Sequence, residues 1–214
     1  MTKIIYVRHG QTLWNLEMKY QGHTDITLSS LGIEQAAAVA NKLAKLNISA
    51  VYSSDLSRAY DTAAAIASKH GLTVQKESAF REICFGEWEG LTYDSIYTCW
   101  PDIMGELYSR PDEVEIPGGE SFRQLKKRAV WGIELLIKKH PDETIVVVSH
   151  GGTIRTILCA ALNIHLNYVW NIKQDNTAVN IIEYYPERSL VCLLNDTSHL
   201  PTSDFGAQAV NHNS

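Results

Sequence analysis

Two segments of the sequence place a histidine beside a glycine at the point where an apolar run ends. His9 and Gly10 follow the β-branched run 3–7, and His150 and Gly151 follow the run 144–149. Both runs are predicted to be buried strands of a parallel sheet. Open α/β sheets bind their ligands at the carboxyl ends of such strands. Histidine can act there as a nucleophile or as a proton carrier near neutral pH.

Two arginines accompany these histidines. Arg8 directly precedes His9, and Arg58 is predicted to lie in the first turn of a helix over 59–67, with Ser54 or Asp55 as its N-cap. An arginine supplies a permanent cation whose planar fork suits phosphate, and a helix start favours anions through its free N–H groups. If one sheet edge gathers these residues, the resulting cationic pocket is expected to bind a small dianion such as a phosphomonoester.

Strands that alternate with helices predict an α/β fold. We expect a three-layer α/β/α sandwich around a doubly wound, mostly parallel sheet. Besides the segments above, helices are expected at 33–44, 122–137 and 154–162, and strands at 48–52, 72–76, 177–185 and 190–194. The last two strands are expected to form a hairpin.

One stretch, from about 92 to 119, shows no clean period and is interrupted by prolines and glycines. We expect a small helical lid insertion here, within a single domain that spans 1–202. The polar tail 203–214 is expected to be disordered. Substrate selectivity is expected to reside in four lid residues: Tyr97, Trp100, Tyr108 and Arg110.

Composition limits the class of partner. The 214 residues carry a formal net charge of -5, and the pI is about 5.9. This acidic balance argues against nucleic-acid binding, which uses a basic face. No apolar run is long enough to span a membrane, and the N-terminus lacks the apolar core of a secretory signal. The four cysteines show no Cys-x-x-Cys spacing, so we expect reduced thiols in a cytoplasmic protein.

Other phosphoryl-transfer chemistries lack their signatures in this chain. There is no Gly-x-x-x-x-Gly-Lys-Ser/Thr loop, no cysteine followed by an arginine six residues later, and no Asp-x-Asp-x-Thr run. Metal ligation by His9 and His150 is an alternative, disfavoured because the neighbouring arginine would repel a cation. We therefore expect neither a metal nor another cofactor.

Four blocks of the sequence resemble, in the same order, the histidine phosphatase superfamily in its phosphoglycerate-mutase-like branch. The resemblance runs from about residue 3 to residue 200. The blocks are Arg8–Thr12 with Asn15, Ser53–Ala59 with Thr62 and Ala63, Arg81–Gly90, and Ser149–Gly152.

The resemblance implies a role for each matching residue. His9 is the nucleophile that becomes phosphorylated, and Glu82 is the proton donor, with Glu87 and Glu89 as rival candidates. The remaining matching residues bind the phosphoryl group: Arg8, Asn15, Arg58, His150 and the backbone of Gly151.

The other histidines are interpreted separately. His199 belongs to a tail that resembles this branch, and either contact with the substrate or simple packing is left open. The rest are expected to be surface or helix-cap residues: His23, His70, His140, His165 and His212.

Three functions compete: a phosphomonoesterase acting on a small metabolite, a phosphoglycerate mutase, and a non-catalytic module that binds a phosphorylated ligand. The segment Phe85–Gly90 resembles the phosphatases, and the chain is short for the longer lid of the mutases. A non-catalytic module is disfavoured because the matching catalytic positions are all filled. By resemblance, α-ribazole-5′-phosphate and phosphoserine are both candidate substrates. We expect no partner beyond the metabolite, except that a homodimer is left open.

Overall fold

The computed structural model of the protein describes residues 1–201. Its strands are β1 (Thr2–Arg8), β2 (Ala50–Ser53), β3 (Val74–Lys76), β4 (Thr144–Ser149), β5 (Val179–Tyr184) and β6 (Ser189–Asp196). They form one sheet in the order β3-β2-β4-β1-β5-β6. The first four strands of this order run parallel, whereas β5 pairs antiparallel with both β1 and β6. The expected mostly parallel sheet and its late hairpin are confirmed.

The helices within the described residues connect and cover these strands. They are α1 (Leu13–Leu16), α2 (Ser30–Leu43), α3 (Ser57–Ser68), α4 (Tyr93–Cys99), α5 (Pro101–Ser109), α6 (Phe122–Lys139) and α7 (Gly151–Ala161). Short 3₁₀ turns occur at Ser78–Phe80, Gly86–Trp88 and Leu166–Asn171. The short helix α1 and these 3₁₀ turns were not predicted, because segments of three to six residues carry too little periodicity to be recognised.

The central strand β1 shows why the fold has three layers. Successive side chains of a strand point to opposite faces of the sheet. Ile5 and Val7 accordingly join the apolar cluster formed with α2 and α3. Ile4 and Tyr6 join the second cluster, to which α6 and α7 contribute. The expected α/β/α sandwich is therefore confirmed.

The pairing of β1 with β4 brings the two histidine segments together. Arg8 lies opposite Ser149 in the parallel register, and the backbone N–H of His9 donates to the carbonyl of Ser149 at 2.9 Å. On the other side of β4, Ser53 of β2 lies opposite Val148. Because parallel strands end at the same edge, the starts of α3 and α7 and the segment after β1 all lie along one edge of the sheet.

The segment 92–119 contains two short helices, α4 and α5, as expected. Its apolar side chains Ile96, Met104 and Leu107 are fully buried in the cluster on the α6 and α7 side of the sheet. Burial of this kind fixes α4 and α5 on the body of the protein. A role for this segment as a lid stays a prediction.

The predicted N-cap of α3 is wrong. Leu56 occupies the cap position, and neither Ser54 nor Asp55 caps the helix through its side chain. Instead the carboxylate of Asp25 accepts from the backbone N–H and the hydroxyl of Ser57, both at 2.8 Å. Asp55 forms a bidentate ion pair with Arg81 at 2.7 and 2.6 Å.

Two expectations from the sequence concern the C-terminal tail and membrane-spanning segments. The predicted disordered tail 203–214, together with His212, lies outside the described residues. Within residues 1–201, no helix is both long and apolar enough to cross a membrane.

Candidate active site

His9 leaves β1 in an orientation fixed by hydrogen bonds. Its Nδ1 lies 2.7 Å from the carbonyl oxygen of Gly10, and because a carbonyl only accepts, Nδ1 must carry the proton. The neutral ring therefore keeps its lone pair on Nε2. The backbone carbonyl of His9 accepts from Nδ2 of Asn176 at 3.1 Å and from the N–H of Thr177 at 3.3 Å. Such an imidazole is preorganised as a nucleophile through Nε2.

The surroundings of His9 keep its ring neutral. Burial lowers the pKa of His9 well below 6.5, and the cationic side chains of Arg58 and Arg8 lower it further. A lone pair on Nε2 is therefore present at neutral pH.

His150 stands directly before α7 and is fully buried. Its ring centroid lies 5.1 Å from that of His9. Neither nitrogen of the His150 ring has a hydrogen-bond partner among the described residues. Leaving a buried polar group unpaired costs about 1–3 kcal/mol. An anion bound between the two rings would remove that cost.

Two arginines flank the histidine pair. Arg58 is fully buried and donates through Nη1 to the carbonyl of Thr24 at 2.9 Å and through Nη2 to that of Gly22 at 2.7 Å. Arg8 donates through Nη1 to the carbonyl of Gln174 at 2.5 Å. The Nε atoms of both arginines are buried and have no partner within residues 1–201. Burial is the main reason why the pKa of each falls to about 10, so both stay cationic at neutral pH.

Asn15 lies beside this pocket on α1. Its Oδ1 accepts from the backbone N–H of Thr12 at 3.0 Å, and its own N–H is held by the hydroxyl of Thr12 at 3.2 Å. This reciprocal capping box engages the side-chain oxygen. The amide nitrogen of Asn15 is the group that can donate to a phosphoryl oxygen.

Gly151 is the first residue of α7, where a helix has free N–H groups. A β-carbon added to Gly151 would lie 3.1 Å from Nη1 of Arg155 and 3.6 Å from Nε of Arg8. The absence of a side chain thus leaves space between two guanidinium groups at a helix start.

Glu82 lies at the start of α7. Its carboxylate accepts from the backbone N–H groups of Gly152 and Thr153, each at 3.1 Å, and from that of Ile83 at 3.0 Å. These bonds fix the carboxylate at the helix that begins after His150. An acid held here is placed to exchange a proton with the leaving group of a bound phosphomonoester.

The two rival acids do not occupy comparable positions. Glu87 is exposed. Glu89 is partly buried, but its oxygens accept from the backbone N–H groups of His23 at 2.8 Å, Thr24 at 2.9 Å and Phe85 at 3.1 Å. Glu89 therefore holds the loop whose carbonyls bind Arg58.

The segment that carries this site matches a known protein family. A family model described as the histidine phosphatase superfamily (branch 1) matches residues 4–197, which include all the residues just described. The chain belongs to the histidine phosphatase superfamily. The resemblance found in the sequence blocks is confirmed.

Two relatives of this histidine phosphatase are named after different activities. Phosphoserine phosphatase 1 of Hydrogenobacter thermophilus is 36% identical over 200 residues, which cover 94% of this chain and 95% of the relative. The phosphoglycerate mutase-like protein 4 of Arabidopsis thaliana is 39% identical over 207 residues, which cover 95% of this chain and 89% of the relative.

Two solved structures share the fold. One is a phosphoserine phosphatase mutant (H9A) of Entamoeba histolytica in complex with phosphoserine. It has a TM-score of 0.86, 33% identity, and coverage of 94% of this chain and 100% of that chain. The other is a putative α-ribazole-5′-phosphate phosphatase of Escherichia coli, with a TM-score of 0.84, 25% identity, and coverage of 91% and 96%.

Some residues at the site of this histidine phosphatase were not predicted from the sequence. Arg155 follows Gly151 by one helical turn, and this i, i+4 spacing is the signal that could have found it. His23, expected at the surface or in a cap, is partly buried, and its Nε2 lies 2.9 Å from the carbonyl of Glu82. Arg128 and Glu120 also hold the segment that carries Glu82. No local pattern marks either of them.

His199 contacts the site through one intermediate residue. Its Nε2 lies 3.1 Å from the hydroxyl of Thr177, whose backbone N–H donates to the carbonyl of His9. Thr177 adopts a φ of 55°, the left-handed region that is costly for a β-branched residue. His199 is therefore linked to the backbone of His9 through Thr177, and its contact with the substrate stays a prediction.

The remaining histidines have structural positions. His140 is the C-cap of α6, and it is buried with its Nε2 2.8 Å from the hydroxyl of Tyr52. His165 caps the 3₁₀ turn that begins at Leu166, and His70 is partly buried after α3. Within residues 1–201, no three His, Cys, Asp or Glu side chains converge as a metal site.

Proposed function

We propose that this phosphoric monoester hydrolase of the histidine phosphatase type works through a phosphohistidine at His9. The observation that carries the proposal is the hydrogen bond from Nδ1 of His9 to Gly10, which leaves the lone pair on Nε2 facing a cationic pocket. Nε2 attacks phosphorus, and the bond between phosphorus and the ester oxygen breaks. Glu82 gives its proton to the leaving oxygen.

Water completes the turnover. Glu82, now a carboxylate, takes a proton as water attacks the phosphohistidine, and the P–N bond breaks. Inorganic phosphate leaves, and His9 is again neutral. Throughout, Arg8, Arg58 and His150 stabilise the charge on the equatorial phosphoryl oxygens.

The substrate is proposed to be a small phosphorylated metabolite, with phosphoserine as the first choice. The names of the Hydrogenobacter and Entamoeba relatives support this choice. The Escherichia coli structure supports α-ribazole-5′-phosphate as the second choice. Initial rates of phosphate release from both compounds rank the two.

Phosphoglycerate mutase activity is the alternative, and the name of the Arabidopsis relative favours testing it. A mutase must return the phosphoryl group to a second alcohol before water reaches it. Free phosphate and isomerised product are measured in one assay with 3-phosphoglycerate and 2,3-bisphosphoglycerate. We expect phosphate release to dominate, and isomerisation that far exceeds it would identify a mutase.

The decisive experiment is chemical. Brief incubation with a ³²P-labelled phosphomonoester should leave acid-labile label on the protein at His9. His9→Gln should abolish both label and turnover, whereas His165→Gln, which changes a half-exposed cap residue, should leave both intact. Label on serine or aspartate, or turnover in His9→Gln, would refute the phosphohistidine. A wild type that binds phosphomonoesters but shows neither label nor turnover would instead favour a merely binding role for the pocket.

We also propose a cytoplasmic location and a homodimer. The four cysteines are all free, which supports a reducing compartment. Trp131 and Leu135 are exposed one helical turn apart on α6 and would supply part of an interface between copies. Light scattering during size-exclusion chromatography distinguishes a monomer of 24.0 kDa from its dimer.

A further inference from the structure

Arg155 is a third arginine at the edge of the phosphate pocket. Its Nε donates to the carbonyl of Ile172 at 2.7 Å, and its guanidinium carbon lies 5.4 Å from the ring centre of Trp170. These two contacts hold the planar group in one orientation. Its Nη1 and Nη2 form no hydrogen bond with any residue in 1–201.

The free end of Arg155 faces the space over Gly151. The point where a β-carbon of Gly151 would lie is 3.1 Å from Nη1 of Arg155 and 3.6 Å from Nε of Arg8. Two guanidinium groups thus border one small space. Their repulsion adds to burial in lowering the pKa of Arg8. An anion bound at this point would relieve that repulsion.

Arg155 and Glu82 lie at the same helix start. Glu82 accepts from the backbone N–H of Gly152, the residue after Gly151, at 3.1 Å, and Nη1 of Arg155 borders the space over Gly151. Because Glu82 is the proposed proton donor, the leaving oxygen is expected beside its carboxylate. The alcohol part of the substrate then lies within reach of Arg155.

We propose that Arg155 forms a second anion subsite, which binds a carboxylate carried by the alcohol part of the substrate. The inference rests on the proposed function and deepens it. The planar fork of Arg155 offers the two parallel donors that a carboxylate accepts. Tyr108, whose ring centroid lies 5.1 Å from that of Trp170, continues the wall beside this subsite. A phosphoserine carboxylate is two bonds from the carbon that bears the ester oxygen, whereas α-ribazole-5′-phosphate carries no carboxylate.

The wild-type enzyme gives the first test. Phosphoethanolamine has the skeleton of phosphoserine without the carboxylate, so the pair isolates that group. A hydrogen-bonded charge pair is typically worth roughly 10- to 100-fold in binding. We expect kcat/KM for phosphoserine to exceed that for phosphoethanolamine by at least about 10-fold. Equal values would overturn the subsite without any variant.

The second test removes the guanidinium group of Arg155. Arg155→Met keeps an apolar stem against Trp170, and we expect it to raise KM for phosphoserine by roughly 10- to 100-fold with little change in kcat. Phosphoethanolamine and p-nitrophenyl phosphate should change by less than about threefold. The control Arg123→Met removes an exposed arginine of α6 paired with Asp112, and it should change none of the three.

Two results would overturn the inference. A loss in Arg155→Met that is equal for all three substrates would make Arg155 a structural residue, and no loss with phosphoserine would leave the subsite without function. Failure of the proposed function is distinguishable, because it is measured in the wild type as a lack of label on His9. Label on His9 together with an unselective Arg155→Met variant refutes only the carboxylate subsite.

Discussion

Nη2 of Arg128 on α6 donates to the backbone carbonyl of Glu82 at 2.7 Å. The same guanidinium donates through Nη1 to the carbonyls of Ala79 and Arg81, each at 2.8 Å. Its partner Glu120 accepts from the backbone N–H of Cys84 at 2.9 Å. A single ion pair thus holds the segment on both sides of the proposed acid.

Arg128→Gln should therefore weaken catalysis by the acid rather than phosphate binding. We expect phosphorylation of His9 by an alkyl phosphate to slow by about 10-fold or more, because a displaced Glu82 protonates the alkoxide poorly. A nitrophenyl ester, whose phenolate leaves unaided, should be affected much less. Single-turnover formation of the phosphoenzyme measures both. Arg123→Gln, on the same helix but exposed, is the matched control, and equal slowing of both esters in Arg128→Gln would indicate a general structural defect.

Glu82→Gln tests the acid directly. Positioned proton transfer is typically worth about 10²–10⁴-fold in rate. We expect a loss of this size in phosphorylation by the alkyl phosphate and a small one with the nitrophenyl ester. Glu87→Gln, which changes an exposed carboxylate, should leave both rates unchanged. A selective loss in Glu87→Gln instead would show that Glu87, rather than Glu82, is the acid.

Glu89→Gln should weaken substrate binding without any dependence on the leaving group. Glu89 holds the N–H groups of His23 and Thr24, and the carbonyl of Thr24 in turn binds Arg58. Weakening these bonds should loosen the phosphate pocket, so KM should rise by about 10-fold for alkyl and nitrophenyl esters alike. Steady-state kinetics with both esters measures the effect. Any dependence on the leaving group would instead make Glu89 part of the proton transfer.

The pKa of His9 couples folding to pH. Burial, followed by the charges of Arg58 and Arg8, lowers this pKa well below 6.5. Between the two pKa values the unfolded chain therefore binds a proton at His9, whereas the native state does not. The free energy of unfolding should therefore fall as pH decreases below about 6.5 and stop falling only at the native pKa. Urea unfolding at several pH values measures this slope. His9→Gln should reduce the slope without abolishing it, because burial also lowers the pKa of His150 well below 6.5. His165→Gln should leave the slope unchanged, and an unchanged slope in His9→Gln would contradict the lowered pKa of His9.

Local chemistry made much of this fold predictable. The β-branched runs of β1 and β4 identify buried strands, and Ser121 with Gln124 forms the capping box that starts α6. The N-cap of α3 was mispredicted because Asp25, 32 residues earlier, holds Ser57.

The same limit applies to the site. His9 and His150 were identifiable because each follows a strand end. Arg128 was not, because its bonds reach the carbonyls of a segment 46 to 49 residues away. Arg155 could have been found from its i, i+4 spacing to Gly151, but the space that it borders together with Arg8 is visible only in the folded backbone.

The position of β1 in the sheet has a consequence for synthesis of the protein. Of the described strands, β1 comes first in the chain, yet it lies between β4 and β5, where Val7 pairs with Val148 and Val179. Until both partners have emerged, the nascent chain carries His9 on a strand without neighbours. Such distant pairing slows folding, because a long loop must close before the contacts form. Enzymatic activity regained on refolding should therefore appear late, after much of the helical circular dichroism has returned.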